Sequence, residues 1–275
     1  VKAPSFGYVK PRDLDQVFDL LDQHGEEAKL LAGGQSLMPS LNLRLSSPAI
    51  LIDLNAVPGL AGISETASSL VIGAMTRHLV LETSALLARY APLVAAAMPH
   101  IAHPAIRNRG TIGGSLSFAD PAAELPACMV ALNATFVLQG RAGERRVAAA
   151  SFFKGLFETD LRAGEILRAV EISKAAADHR FAFDELARRH GDYAMVGLAA
   201  AAEAGWMNLV YFGVGDRPVA LPKAATALRG GDVEAAVAIL QAELDPPGDL
   251  NGGPETKRHL AGVLLRRAAP SLLKA

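Results

Sequence analysis

One cysteine, Cys128, is all the thiol chemistry this sequence carries. That excludes a disulfide framework, a cysteine-rich zinc site and an iron–sulfur cluster held by this chain alone, so any metal redox centre working with it belongs to another chain. Aromatic residues are scarce, at 5%, and 27 basic against 28 acidic side chains leave a net charge of -1. With no basic block and no interleaving of aromatic and basic residues, a nucleic-acid footprint is missing. No apolar run reaches spanning length, and Val1 to Tyr8 lack the charged region, apolar stretch and cleavage site of a leader. These absences predict a soluble, cytoplasmic protein without an integral membrane segment. The seven histidines are scattered, with no H-x-x-x-H pair on a plausible helix beside a matching carboxylate. They are expected at the surface rather than at a metal.

What is present is apolar substance: 51% hydrophobic residues over 275 positions, enough for two or three units with cores of their own. Asp13 is placed to cap a helix carrying Leu14, Val17, Phe18 and Leu21 on one face, with Gly25 ending it. A strand at Ala28 to Leu31, a helical turn within Leu37 to Leu45 and a strand at Ala49 to Leu54 follow. Pro58 and Gly59 punctuate the chain there, and strands and Ala-rich helices run on through Ile101. Asp120-Pro121 reads as a cap and first-turn pair for the apolar Leu125 to Leu132. Strands are expected at Ala134 to Leu138, Arg145 to Ala148 and Ile166 to Ile172, then a linker at Lys174 to Asp178. Beyond it, Phe181 to Arg188, Val196 to Glu203 and Met207 to Val214 read as an antiparallel set, closed by helices at Pro222 to Leu228, Asp232 to Leu244 and Glu255 to Ala268.

Two separated segments place adjacent glycines beside hydroxyl side chains: Gly33-Gly34 with Ser36, and Gly113-Gly114 with Thr111 and Ser115. Lacking Cβ, such pairs let backbone N–H groups approach an anion, and a helix N-terminus adds partial positive charge. Either pair alone is more commonly a tight turn between elements; two in one chain suit a pyrophosphate. Neither matches G-x-G-x-x-G with a downstream ribose-binding acid, nor G-x-x-x-x-G-K-[ST], which argues against Rossmann and P-loop sites.

In order and spacing, Ala32-Gly33-Gly34-Gln35-Ser36 and Arg107-Asn108-Arg109-Gly110-Thr111-Ile112-Gly113-Gly114 resemble the flavoprotein subunits of aerobic carbon monoxide dehydrogenases and the flavin domain of xanthine dehydrogenases. So do Phe6-Gly7-Tyr8, Ile50 to Leu54, Asp120 to Pro126 and Arg189-His190-Gly191-Asp192-Tyr193-Ala194, so that the likeness covers nearly the whole chain. The resemblance implies an α+β chain: a vanillyl-alcohol-oxidase (PCMH-type) FAD-binding fold of two subdomains, residues 1–57 and 58–175, and a C-terminal α/β domain with an antiparallel sheet and helices, residues 178–275. It further implies FAD with its pyrophosphate at Ala32, Gly33, Gly34, Gln35 and Ser36 and at Thr111, Ile112, Gly113, Gly114 and Ser115. Glu124 falls where relatives have an acid that accepts from ribityl or ribose hydroxyls, and Tyr193 where a residue lies near the isoalloxazine. Taken without the resemblance, Glu124 is equally an exposed carboxylate in a helix's first turn, and Tyr193 a core aromatic.

Gln35 replaces a histidine that many relatives carry in the first segment, and an amide offers no attachment point, which favours noncovalent FAD. Ser117 and Phe118 stand where relatives have small or amide residues, and the turn at Gly205 to Asn208 is shorter than theirs. The implied role is an electron-transfer subunit of a molybdenum hydroxylase, taking electrons from 2Fe-2S clusters on a small subunit that serves a large molybdenum-cofactor subunit. Relatives form dimers of heterotrimers. The alternatives are a free-standing FAD oxidoreductase with its own substrate, for which His100, His103 and Tyr193 are the available bases, and an assembly module without cofactor.

Overall fold

The computed structural model describes residues 2–274. Asp13 opens the first helix, Leu14–His24, by accepting from the Gln16 N–H at 2.9 Å, and Gly25 ends it at a φ of 51° that a side chain would resist. Its apolar face sets Val17 and Phe18 against Ala28, Ile50 and Ile52. The strands Gly7–Val9, Ala28–Leu31 and Ile50–Asp53 form a parallel sheet with Ile50–Asp53 in the centre. That central strand is buried along its whole length, as its unbroken apolar run requires.

The second sheet is antiparallel and runs Ile63–Glu65, Ser69–Gly73, Ile166–Ser173, Thr135–Gly140, Gly143–Ala148 across its width. Its central strand arrives only after every helix between His78 and Phe152 has been laid down, so the sheet closes around the segment holding the second glycine pair. Ile166, at the start of that strand, is buried with Leu60 and Met75 in the core of the first sheet, which joins the two units.

The third sheet, Arg180–Leu186, Val196–Glu203, Trp206–Phe212 and Val219–Ala220, is antiparallel and buried on both faces. Leu198, Ala200, Ala202, Leu209 and Tyr211 pack toward the helices Pro222–Arg229, Val233–Glu243 and Pro254–Leu273. Ala199, Ala201, Val210 and Phe212 point the other way, into the core of the second unit beside Leu125 and Cys128. The period-two alternation of a strand thus divides the sheet between two cores. The expected α+β class, with an antiparallel C-terminal sheet and helices, is the observed one.

Several local expectations need correction. Asp120-Pro121 does not cap the helix Glu124–Ala131: Asp120 Oδ1 accepts from the Ala122 N–H at 2.9 Å in a turn, and the cap position is Ala123. The second glycine pair lies inside a helix, Ile112–Phe118, that glycine's poor helix propensity conceals in the sequence. The strand Gly7–Val9 and the hairpin Phe153–Gly155 with Glu158–Thr159 also carry no readable pattern at their length.

Gly197 shows how tightly the third sheet is packed: Phe212 is its cross-strand partner, and a Cβ at Gly197 would lie 2.0 Å from that ring. Gly197→Ala is expected to cost about 1–3 kcal/mol of stability by overpacking, read as a lowered urea midpoint, and Phe212→Leu in the same chain should recover part of that loss. An unchanged midpoint in Gly197→Ala would show that the Phe212 ring moves aside without cost.

Candidate functional site

The first glycine segment leaves the parallel sheet at the end of Ala28–Leu31 and turns into the helix Leu37–Asn42. Gly34 makes the turn at a φ of 73°. Gly33 makes contact: a Cβ on it would lie 2.4 Å from the Arg109 carbonyl oxygen and 2.8 Å from the Gly110 Cα. The two glycine segments, 76 positions apart by their Gly33 and Arg109 numbers, therefore touch backbone to backbone.

They differ in what they still offer a ligand. Among the described residues, the N–H groups of Gly33, Gly34, Gln35 and Ser36 find no acceptor, while the Gln35 side-chain amide donates to the Gly33 carbonyl at 3.1 Å. In the second segment the Ile112 N–H donates to Thr76 O at 3.1 Å, Gly113 to Ala74 O at 2.8 Å, and Gly114 to the capping Thr111 Oγ1 at 3.1 Å. Ser115 N–H closes the first helical turn on Thr111 O at 3.1 Å. Gly113 is required for packing, since its Cβ would lie 2.4 Å from that of Ala74. The free donors lie on the first segment, and the second contributes a helix N-terminus held rigidly beside them.

A cleft of about 380 Å³ opens over the first segment, lined among others by Tyr8, Asp53, Asn55 and Arg109. These four residues belong to the site, and glycine patterning alone does not find them, although Tyr8, Asp53 and Arg109 fall in the family-like segments. Asp53 is buried and accepts from the Tyr8 hydroxyl and from the Asn55 N–H at 2.9 Å. Burial works to raise its carboxyl, but the bonds from Tyr8 and Asn55 outweigh that and hold it below the usual carboxylate range. The Asn55 amide donates to Ala32 O at 2.9 Å. Arg77 donates to Asn55 Oδ1 and to Arg109 O. Burial, and then the neighbouring Arg109 charge, depress the Arg77 guanidinium below its ordinary value.

Glu124 and Tyr193 lie together elsewhere, at the seam with the third sheet. Glu124 is only 8% exposed, not the solvated first-turn carboxylate its position also allowed, and burial pushes its carboxyl up to about 8. Tyr193, at 65% exposure, is not a core aromatic. Burial of its hydroxyl end, and then the charge of Asp120, raise the phenol. His100 Nδ1 lies 3.3 Å from Glu185 Oε1, a bond that raises the imidazole. His103 abuts Gly191, whose Cβ would lie 2.9 Å from that ring.

The histidines are less superficial than their scatter suggests. His78 is buried under Gly110 and driven down to about 4 by burial, hence neutral, and the His179 side chain is buried against Glu203. Among the described residues no group of histidine, cysteine and carboxylate side chains could hold a metal, and no helix is long and apolar enough to cross a membrane.

Residues 4–174 match the FAD binding domain in molybdopterin dehydrogenase, and residues 181–272 match the CO dehydrogenase flavoprotein C-terminal domain. The chain is 36% identical to the 6-hydroxypseudooxynicotine dehydrogenase complex subunit alpha of Paenarthrobacter nicotinovorans, over 99% of its own length and 96% of that protein. It is 37% identical to the carbon monoxide dehydrogenase medium chain of Hydrogenophaga pseudoflava, over 96% of each. A solved structure of carbon monoxide dehydrogenase from the same organism, one which lacks the Mo-pyranopterin moiety of the molybdenum cofactor, superposes with a TM-score of 0.95 at 36% identity, covering 99% of this chain and 98% of that one.

The seam acids generate a pH test. A carboxyl whose folded value is raised to about 8 contributes stability that is fully present below the ordinary carboxyl range and is lost as pH rises through about 8. Over that window one such group changes stability by about 1.4 kcal/mol per pH unit. Glu124→Gln should therefore flatten the fall in thermal midpoint between pH 5 and pH 8, the two proteins diverging most at pH 8. Parallel curves for the two proteins would show that Glu124 titrates normally.

Proposed function

The chain belongs to the FAD-binding medium subunits of the molybdenum hydroxylases, and from that premise we propose that it carries electrons from 2Fe-2S clusters on a small partner subunit, through its FAD, to an external acceptor. The observation that carries the reading is the set of four unpartnered N–H groups on Gly33, Gly34, Gln35 and Ser36, on a segment whose Gly33, Gly34 and Gln35 line a cleft together with Arg109. Donors without acceptors beside the Arg109 guanidinium fit a doubly charged pyrophosphate.

In this reading Ala32, Gly33, Gly34, Gln35 and Ser36 hold the pyrophosphate directly. Thr111, Ile112, Gly113, Gly114 and Ser115 supply the helix terminus and the hydroxyls alongside it. Glu124 meets a ribityl or ribose hydroxyl. Held neutral below about pH 8, it presents both a donor and an acceptor oxygen and adds no negative charge near an anionic cofactor. Tyr193 lies against the isoalloxazine from the C-terminal side. We divide the chain into residues 1–57, 58–175 and 178–275, a reading supported by one of the three larger sheets falling in each, and put the cofactor where these units meet. Bound FAD supplies the exchange between one-electron and two-electron carriers, and the protein positions and tunes it. Gln35 leaves the flavin noncovalent.

The complex we infer is cytoplasmic and contains a large molybdenum-cofactor subunit and a small 2Fe-2S subunit, doubled into a dimer of heterotrimers. The names of the relatives include a nicotine derivative and carbon monoxide, so the substrate is set outside this chain.

The purified chain should be yellow or should bind added FAD, and acid precipitation should release all of the flavin into the supernatant. A chain that takes up no FAD would overturn the assignment, and colour retained in the pellet would overturn the noncovalent attachment. Gly33→Ala should weaken FAD binding about tenfold or more by forcing the two segments apart, given strain of about 1–3 kcal/mol. Tyr193→Ala should leave FAD affinity nearly intact while shifting the bound flavin spectrum and the reoxidation rate of the assembled complex, with Tyr193→Phe close to the parent. Identical spectra and rates would remove Tyr193 from the ring.

A further inference from the structure

Arg77 immediately precedes the helix His78–Glu82 and stands at its cap position, where its side chain makes no capping bond and is free to reach elsewhere. Its backbone is already stitched to the second glycine segment. The His78 N–H donates to Gly110 O at 2.9 Å and Ile112 donates to Thr76 O at 3.1 Å, on either side of it. The guanidinium then spans the site. One nitrogen donates to Arg109 O, the carbonyl that Gly33 lies against, and the other donates to Asn55 Oδ1.

Asn55 carries the connection on. Its amide donates to Ala32 O at 2.9 Å, at the start of the first glycine segment, and its backbone N–H is fixed by Asp53, which also takes the Tyr8 hydroxyl. The guanidinium therefore bridges the two segments, directly to one and through a single amide to the other. Both of its acceptors are neutral oxygens rather than carboxylates, and the carboxylate that acts on the guanidinium, Asp53, is not bonded to it. Arg109, its like-charged neighbour on the cleft wall, has no side-chain acceptor among the described residues.

We propose that Arg77 is a positioning residue that sets the separation of the two glycine segments and thereby the affinity for FAD. The inference rests on the proposed FAD site. The planar guanidinium is the group suited to the task, because its donors form a rigid fork that engages two acceptors at once. A lysine ammonium at the same place keeps the charge and reaches only one side. The latch is therefore separable from simple electrostatic attraction.

The test measures FAD dissociation constants by flavin fluorescence on the full chain stripped of flavin and reconstituted, for the parent, Arg77→Lys, Arg77→Met, Asn55→Ala and the Arg77→Met/Asn55→Ala pair, alongside the thermal midpoint of each FAD-free protein. Arg77→Met should weaken FAD about tenfold to a hundredfold, the range for a lost charged hydrogen bond. Arg77→Lys should recover only part of that. Asn55→Ala should weaken binding as well, and the pair should be no worse than the weaker single variant, because both break the same bridge. Full affinity in Arg77→Lys would show that charge alone matters and overturn the latch, and additive losses in the pair would overturn it too. Should Arg77→Met not fold, Arg77→Lys against Asn55→Ala decides by the same criteria. A parent chain that binds FAD with variants that bind equally sinks this inference alone, whereas a parent that binds none sinks the proposed function beneath it.

Discussion

The contact on which the rest of the molecule depends is the one between Gly33 and the backbone of Arg109 and Gly110. It brings together the end of a parallel strand in the first unit and the start of a helix in the second. No residue with a Cβ could make it without shifting main chain. The segment from Ala74 to His78 serves as the bed for the second half, receiving Gly113 at Ala74 O and Ile112 at Thr76 O and donating from His78 to Gly110 O. Thr76 in turn exchanges two hydrogen bonds with Gly62, at 2.9 and 3.0 Å, which anchors that bed to the turn below. Adding a methyl group at Gly33, Gly73 or Gly113 would meet backbone at 2.4–2.7 Å, so the glycines here hold the site together as much as they admit a ligand.

A second constraint fixes the C-terminal unit. The strand Val196–Glu203 is flanked by other strands and covered on both faces, which leaves room mainly for alanine and glycine. Small side chains bring its neighbours close, and the opposing Phe212 takes the space that Gly197 vacates. The turn before this strand, which carries Tyr193, is thereby carried to the second unit: Gly213 N–H donates to Pro121 O at 2.8 Å, and Gly191 lies against Ala102 and His103. The position of Tyr193 is set by this sheet packing together with the hydrogen bond of its hydroxyl to Asp120.

Much of this was legible in the residues, and for physical reasons. The cap at Asp13, the stop at Gly25 and the alternation in Trp206–Phe212 are local signals, each decided by a few neighbouring side chains. The two glycine segments were visible as composition, and the resemblance gave them a ligand. What could not be read was which N–H groups remain free, because the acceptors for Ile112 and Gly113 come from a strand end some 36 to 39 positions earlier. Arg77 was illegible for the same reason: nothing near it in the chain shows that its partners are Asn55 and Arg109. The Asp120-Pro121 signal failed because Asp120 has a nearer N–H to bind, that of Ala122, before the helix starts.

The glycine cleft and the seam have opposite electrostatic character, and burial contributes to both. At the glycine segments, Arg77 and Arg109 face one another with only neutral oxygens bound to Arg77, so a negatively charged ligand relieves a repulsion already present in the fold. At the seam, Glu124, Glu185 and Asp184 all act on His100, Asp120 acts on Glu124, and one buried oxygen of Glu185 has no hydrogen-bond partner among the described residues. Ionised together, these acids would concentrate negative charge at the seam. Desolvation prevents that by keeping Glu124 protonated through neutral pH, while the Glu185 charge is spent on His100, whose imidazole it raises. The cleft thus sets the Arg77 and Arg109 charges against one carboxylate, Asp53, while at the seam desolvation removes the negative charge that Glu124 would otherwise carry at neutral pH.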